Sequence, residues 1–211
     1  MGETRRPAVT RQTMIETALR LLDEVGLDGL TVRRLATELG VRSPALYWHI
    51  RTKQELLDGM ADAIVLAAGM GPPLEGESWQ DWLLRRARSY RASLLAHRDG
   101  ARIVVSAHVL SPATVRLFDE ELAALVGCGF TPVLALRTVA ACTRYINGFV
   151  LQEQTERHGA PGALADLAAL LERGMEAPLI TGIAEGGNPL GEEAFEHGLR
   201  MLIDGTAATL T

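Results

Sequence analysis

The densest group of side chains able to do chemistry lies between Thr31 and Lys53, in the segment TVRRLATELGVRSPALYWHIRTK. Its formal charge is +4, because one acidic residue stands against five cationic ones: Glu38 against Arg33, Arg34, Arg42, Arg51 and Lys53. Guanidinium and ammonium groups bind phosphate oxygens, and Arg also reads base edges. The segment therefore favours binding of a polyanion.

Two short helical patterns position these side chains. Thr31 can cap a first helix over about Val32–Leu39, and Gly40 supplies the left-handed residue that commonly ends a helix. The sequence then predicts a second, two-turn helix over about Ser43–His49, with Ser43 as its N-cap.

The second helix exposes an unusual surface. Leu46 and Ile50 can pack against the first helix, whereas Tyr47, Trp48 and His49 face outward. A small cationic two-helix unit with a protruding second helix predicts a helix-turn-helix that enters the DNA major groove. One alternative is that Tyr47 and Trp48 are core residues of a small bundle. Another is that Trp48 is a packing platform for the first helix of the chain, predicted over about Thr10–Val25.

The charge of the whole chain conceals this basic segment. The 211 residues have a formal net charge of −5, but residues 1–60 carry 9 basic and 8 acidic side chains, whereas the remainder carries 12 and 18. Phosphates respond to the local field, so an acidic body does not exclude a nucleic-acid-binding head.

Catalytic and metal-binding patterns are absent from the sequence. Cys128 and Cys142 are the only cysteines and do not have metal-site spacing, and no Ser-His-Asp pattern or phosphate loop is present. We therefore predict no catalytic residue, no metal site and no cofactor. The longest apolar stretch, Ala63–Leu74, is too short to cross a bilayer, so we expect a cytoplasmic protein that contacts no membrane.

Every other segment has helical periodicity, so the predicted fold class is all-α. A three-helix DNA-binding domain at residues 1–52 is expected to connect, through a helix at about 53–69, to a larger ligand-binding and dimerisation domain at 70–211. The predicted helices outside the helix-turn-helix are about Thr10–Val25, Lys53–Ala68, Ser78–His97, a short segment Ala101–His108, Ser111–Val126, Thr131–Arg157, Ala163–Arg173, Pro178–Ala184 and Glu192–Leu210.

These patterns lead to a family resemblance that runs nearly from end to end. The sequence resembles the TetR family of repressors, and within it the tetracycline repressor subfamily including its ligand-binding body. The similar stretches are TALRLLDEVGLDGLTVRRLA at Thr17–Ala36, LYWH at Leu46–His49, LLDGMADAI at Leu56–Ile64, GESWQDWL at Gly76–Leu83, HRDGARIV at His97–Val104, GFVLQEQ at Gly148–Gln154 and GEEAFEHGLRMLIDG at Gly191–Gly205.

The resemblance implies a role for each DNA-facing residue. Arg33 takes the position of a guanine-reading arginine, and Ser43 and Ala45 replace a glutamine and a threonine that contact bases, which predicts a different operator sequence. The predicted DNA-binding set is Arg33, Arg42, Ser43, Pro44, Ala45, Tyr47, Trp48, His49 and Lys53.

The inducer site departs from the family pattern. Relatives hold a tetracycline–Mg²⁺ chelate through an imidazole and a carboxylate, whose positions are taken here by Val104 and Gln152. Val104 cannot ligate a metal ion, and the Gln152 amide is a poor substitute for the carboxylate that Mg²⁺ prefers. A metal site shifted to His108 or Glu153 is the alternative. The predicted ligand-binding set comprises Arg86, Tyr90, Val104, His108, Phe118, Glu121, Val139, Asn147 and Gln152.

These observations predict a repressor that binds a palindromic operator as a homodimer. Dimerisation is expected through the long helix near 132–157 and the last helix near 192–210. A small-molecule inducer of unknown identity, other than Mg-tetracycline, is expected to release the DNA. The alternatives are a DNA-binding regulator without a small-molecule inducer, or a helical protein that sequesters a small molecule.

Overall fold

The computed structural model describes residues 9–158, 178, 181–182, 185 and 187–210. Within these residues the only regular structure is helical, so the predicted all-α class is confirmed. The helices predicted over 163–173 and 178–184 lie outside the described residues, apart from single positions. The helices with continuous bounds are α1 Arg11–Gly29, α2 Val32–Glu38, α3 Ser43–Leu46, α4 Lys53–Ala67, α5 Trp79–Leu95, α6 Gly100–Val105, α7 Pro112–Gly127, α8 Pro132–His158 and α9 Glu192–Ala207.

Helix α1 begins after a threonine cap and bends at a glycine. Thr10 caps α1, because its hydroxyl accepts a hydrogen bond from Thr13 N at 3.1 Å and the Thr13 hydroxyl accepts one from Thr10 N. At Gly26 the backbone leaves the helical region, with φ 72 and ψ 172. Gly26 thus ends the regular helix after Val25, as predicted, and one further turn continues to Gly29.

The turn between α2 and α3 is a compact glycine-dependent stop. Thr31 caps α2 through its hydroxyl, which accepts from Arg34 N at 3.2 Å. Gly40 adopts φ 67, and the amides of Gly40 and Val41 donate to Thr37 O and Ala36 O, both at 3.0 Å. This pattern satisfies the last carbonyls of α2 and reverses the chain.

The predicted start of α3 at Ser43 is confirmed, whereas the predicted N-cap and the predicted end at His49 were wrong. The N-cap is Arg42, whose carbonyl accepts from Ala45 N at 2.9 Å, so Ser43 is a helical residue and not the cap. The helix ends at Leu46, because its carbonyl accepts from both His49 N and Ile50 N at 3.0 Å and closes the chain into a turn. The aromatic residues therefore lie on this turn.

The chain divides into two compact units. The first contains Met1–Gly71 and Ala92–Glu120, and the second contains Pro72–Arg91 and Glu121–Thr211. Helix α4 is the centre of the first unit, because it packs against both α1 and α6. Its buried residues Leu56, Met60 and Ile64 are at most 4% exposed.

The second unit is organised around aromatic side chains. Phe195 on α9 is fully buried and its ring stacks on Tyr145 of α8 at 5.8 Å, while Phe149 meets it edge-on at 5.3 Å. The Arg91 guanidinium lies 4.7 Å from the centre of the Phe195 ring and also forms an ion pair with Glu153 at 2.6 Å. These contacts connect α5, α8 and α9.

Close packing at the start of α6 yields a test of the fold. A Cβ atom at Gly100 would lie 2.2 Å from the carbonyl oxygen of Leu94, so a side chain there forces the backbone apart. We expect Gly100→Ala to lower the free energy of unfolding by about 1–3 kcal/mol. Urea denaturation followed by circular dichroism measures this change.

Gly127→Ala is the matched control, because nothing lies within 4 Å of the corresponding Cβ. We expect its free energy of unfolding to change by less than about 1 kcal/mol. Equal stability of the two variants would contradict the close approach at Gly100.

Candidate nucleic-acid interface and ligand-binding residues

The recognition surface is the exposed side of α2, α3 and the turn after α3. Leu46 and Ile50 are 2% and 4% exposed and fix this region to the core, while Val41 is half-buried. Ser43 is the half-buried member of the predicted DNA-binding set. The other members are exposed: Arg33, Arg42, Pro44, Ala45, Tyr47, Trp48, His49 and Lys53.

The aromatic side chains are not core residues of a bundle. Tyr47 is 52% exposed and Trp48 is 89% exposed. A side chain as open as Trp48 is not a packing platform for α1, so that alternative is wrong. Large exposed aromatic residues beside cations suit contacts with bases and the sugar-phosphate backbone.

The cations of this surface are not neutralised by carboxylates. Within the part of the chain that the structure describes, none of them forms an ion pair, in contrast to Arg11 and Arg20 on α1, which pair with Glu55 and Glu38. The unpaired cations are Arg33, Arg34, Arg42, Arg51 and Lys53. Unpaired cations leave a local positive potential available to phosphates.

The start of α4 is held firmly next to the recognition surface. Thr52 accepts a hydrogen bond from Glu55 N at 3.0 Å, and Glu55 accepts from Arg51 N at 2.9 Å and pairs with Arg11 at 2.8 Å. These bonds fix the position of Lys53, the first residue of α4.

The pKa of Asp28 is lowered by its hydrogen bond and ion pair with Arg102 and, in smaller part, by Lys53.

Carboxylates on α1 and α4 accept hydrogen bonds from backbone amides that lie just before and just after α6. Asp58 accepts from His108 N at 2.9 Å and Asp62 accepts from Ser111 N at 3.0 Å. Asp23 likewise accepts from Arg98 N at 2.9 Å. Sequence reasoning missed these roles, although Asp58 and Asp62 stand four residues apart and therefore share one face of α4.

The predicted ligand-binding residues fall into both units. In the second unit, Arg86 on α5 donates to both carboxylate oxygens of Glu121 on α7 at 2.8 Å. Glu121 is 0% exposed and the Arg86 side chain 10%, so this is a buried bidentate ion pair. A buried pair of this kind is kept together by the cost of desolvating either charge alone.

A second polar contact of the same unit joins two further members of the set. The hydroxyl of Tyr90 donates to the Asn147 side-chain oxygen on α8 at 2.9 Å. Val139 is buried on α8, and Gln152 is exposed on it. Cys142, which sequence reasoning did not select, is buried on α8; burial raises the pKa of its thiol, and the Arg86 charge partly offsets that effect.

The remaining members of the set belong to the first unit. Val104 on α6 and Phe118 on α7 are half-buried, and the side chain of His108 is exposed after α6. Glu153, the alternative metal ligand, is held in the second unit by Arg91, whose Nε and Nη2 donate to it at 3.1 and 2.6 Å. Among the described residues, no group of three or more His, Cys, Asp or Glu side chains is arranged to hold a metal ion.

Comparison with known families identifies both halves of the chain. Residues 14–60 match the model of bacterial regulatory proteins of the tetR family, and residues 72–210 match the model of the tetracyclin repressor-like C-terminal domain. The chain belongs to the TetR family. It is therefore a DNA-binding regulator with a ligand-binding body, and the helix-turn-helix prediction is confirmed.

Individual relatives agree with this assignment over most of their length. The tetracycline repressor protein class A from transposon 1721 of Escherichia coli is 37% identical over 92% of this chain and 89% of its own. A crystal structure of a possible TetR family regulator from Streptomyces coelicolor has a TM-score of 0.81 at 36% identity, covering 94% and 99% of the two chains. A TetR variant from Acinetobacter baumannii AYE, solved with minocycline, has a TM-score of 0.79 at 31% identity, covering 97% and 99%.

No described helix has the length and apolar character that a membrane span requires.

The unpaired cations predict two separable effects on DNA binding. Lys53→Ala should weaken binding to specific and unrelated DNA alike and reduce the slope of log affinity against log salt by about 0.9, because one phosphate contact is lost. Arg33→Ala should cost about 1–3 kcal/mol on the specific site and relax base preference at one position. Fluorescence anisotropy over a salt series measures both quantities.

Arg116→Ala is the control, since Arg116 is an exposed cation on α7, away in sequence from the recognition surface. It should leave affinity and salt slope unchanged. Normal DNA binding by both Lys53→Ala and Arg33→Ala would contradict the assigned surface.

Burial of Tyr90 predicts a dependence of stability on alkaline pH. Desolvation raises the pKa of Tyr90 to about 12, although the bond to Asn147 opposes the shift. An unfolded tyrosine ionises near pH 10, so the unfolded state loses its proton first. This contribution to stability is complete below pH 10 and is lost as the pH rises towards 12.

Absorbance of tyrosinate during an alkaline titration checks this shift, with Tyr90→Phe as the reference. Subtraction of the variant curve should leave a step near pH 12. A step near pH 10 in the difference curve would show that Tyr90 is not buried in solution.

Proposed function

We propose that this TetR-family repressor binds a palindromic operator as a homodimer and is released by a small organic inducer that binds without Mg²⁺. The observation that carries the proposal is the unpaired cationic and aromatic surface around α3. Arg33, Arg42, Ser43, Pro44 and Ala45 read the base edges.

The phosphate contacts complete the operator interface. The sugar-phosphate backbone of the duplex is contacted by Tyr47, Trp48, His49 and Lys53. Ser43 and Ala45 offer fewer hydrogen bonds than the family's glutamine and threonine, so the operator differs in sequence from the tetracycline operator.

The proposed dimer is formed by α8 and α9. Val133 and Leu136 on α8 are 56% and 58% exposed, and Met201 on α9 is 63% exposed, so each helix has apolar side chains that its own chain leaves uncovered. A two-fold dimer also supplies the two heads that a palindrome requires, about 34–36 Å apart.

The inducer is proposed to bind at the members of the ligand-binding set that belong to the second unit. Arg86, Glu121, Tyr90 and Asn147 supply hydrogen bonds and Val139 supplies apolar surface, and Gln152 belongs to the same unit. Val104 and Gln152 replace the imidazole and carboxylate of the metal chelate, and Glu153 is occupied by Arg91. Each of these features favours an organic ligand bound without a metal ion.

Release is proposed to be a shift between two populated arrangements of the heads. The ligand lowers operator affinity only by its differential affinity for the two arrangements, and about 2.7 kcal/mol gives roughly a 100-fold effect. Helix α4 is the proposed lever, because Asp58 and Asp62 attach it to the backbone after α6. In this proposal residues 1–52 read DNA in the cytoplasm, 53–69 connect, and 70–211 bind ligand and dimerise.

Sedimentation of the intact protein with a fluorescent DNA fragment from upstream of its own gene tests the proposal. We expect two chains per palindromic site. Addition of tetracycline with Mg²⁺ should leave the complex intact, because the metal ligands are missing. A crude metabolite or drug panel screened in the same way identifies the inducer by loss of the complex.

Two results would contradict parts of this proposal separately. Binding of a single chain per palindrome would contradict the proposed homodimer. Mg²⁺-dependent release of the DNA by tetracycline would contradict the proposal that the inducer binds without a metal ion. Absence of any salt-sensitive DNA complex would remove the operator interface itself.

A further inference from the structure

A groove lies within the first unit, between α1, α4 and the segment 109–112. Its volume is about 890 Å³, which is within the range of pockets that hold drug-sized molecules. We call it the α1–α4 groove and define it by Ile15, Asp58, Asp62, Leu66, Val109 and Leu110. None of its lining residues belongs to the inducer set proposed above.

The walls of the α1–α4 groove are mostly apolar. Ile15 is buried at its floor, where α1 and α4 approach so closely that a Cβ on Gly59 would lie 2.7 Å from Ile15 Cδ1. Leu66 and Val109 at its edge are 36% and 66% exposed. The groove is therefore open to solvent and offers an apolar surface to a ligand.

The charges in the groove are negative and incompletely compensated. Arg11 also lines it, but its charge is met by Glu55 at 2.8 Å. Asp58 and Asp62 form no ion pair with any residue that the structure describes. They account for a local formal charge of −2.

The hydrogen bonds of these two carboxylates come only from neutral donors, and all of them go to Oδ1. Asp58 Oδ1 accepts from Gln54 Nε2 at 2.8 Å and from His108 N at 2.9 Å. Asp62 Oδ1 accepts from Ser111 N at 3.0 Å and from Thr114 Oγ1 at 2.5 Å. Two half-buried carboxylates one helical turn apart thus lie beside an apolar wall without an ion-pair partner among the described residues.

We propose that the α1–α4 groove is a second binding site, which takes a lipophilic organic cation. The apolar body of such a ligand covers Ile15, Leu66 and Val109, and its charge lies beside Asp58 and Asp62. An anion of equal shape is disfavoured, because it meets two carboxylates and, among the described lining residues, no cation without an ion-pair partner. The site stands independently of the proposed inducer, since binding is measured without DNA.

Titration calorimetry with a pair of ions of matched shape tests the proposal on the intact protein. Tetraphenylphosphonium chloride should bind at least about tenfold more tightly than sodium tetraphenylborate, because opposite charges at short range favour only the cation. Asp58→Asn and Asp62→Asn keep the Oδ1 acceptor and remove the charge. Each substitution should lower the affinity for the cation about tenfold.

Two further variants separate the groove from other apolar surfaces. Val109→Ser replaces an exposed apolar side chain of the groove with a smaller polar one. The fold should be retained because the position is exposed, and the affinity for the cation should fall about fivefold. Asp119→Asn removes an exposed carboxylate on α7 that does not line the groove, and it should leave the affinity unchanged. Thermal melts of all four variants verify that they are folded.

The proposal is overturned by any of three results. These are equal binding of the two ions, unchanged cation affinity in both aspartate variants, or no binding of the cation at about 1 mM. Loss of cation affinity in the aspartate variants, with normal affinity in Asp119→Asn, supports it. DNA binding remains a separate measurement, so failure here leaves the repressor proposal unaffected.

Discussion

The attachment of α4 to the backbone that follows α6 is the constraint on which the first unit depends. Two carboxylates on one face of α4, Asp58 and Asp62, accept the amides of His108 and Ser111. Amides that leave water require such partners, so the segment cannot slide along α4 without losing two hydrogen bonds. Since the first residue of α4 is Lys53, a displacement of the segment reaches the edge of the recognition surface through one rigid helix.

The arginines of α5 and the cations around α3 differ in their ion pairing. On α5 the guanidinium groups of Arg85, Arg86, Arg88 and Arg91 all meet carboxylates. The cations around α3 meet none among the described residues. These cations give the helix-turn-helix a local positive potential, although the chain as a whole is acidic, and it is this local field that phosphates encounter.

Buried polar contacts help to hold the helices of the second unit together. The fold resembles that of a solved relative over 94% of the chain. Arg86 pairs with Glu121, and the Tyr90 hydroxyl donates to Asn147. Buried polar pairs add little stability but fix geometry, because each partner is costly to leave alone.

Local patterns in the sequence determined the helices, their caps at Thr10 and Thr31, the glycine stop at Gly40 and the formal charge of +4 on the helix-turn-helix segment. Each of these depends on neighbours within a few residues, so periodicity and residue type suffice. Tertiary structure decided the early end of α3, the partner of Arg86 35 residues away, and the roles of Asp58 and Asp62. Those outcomes depend on which helices meet in space, and the same side chains would be solvated if the helices packed differently.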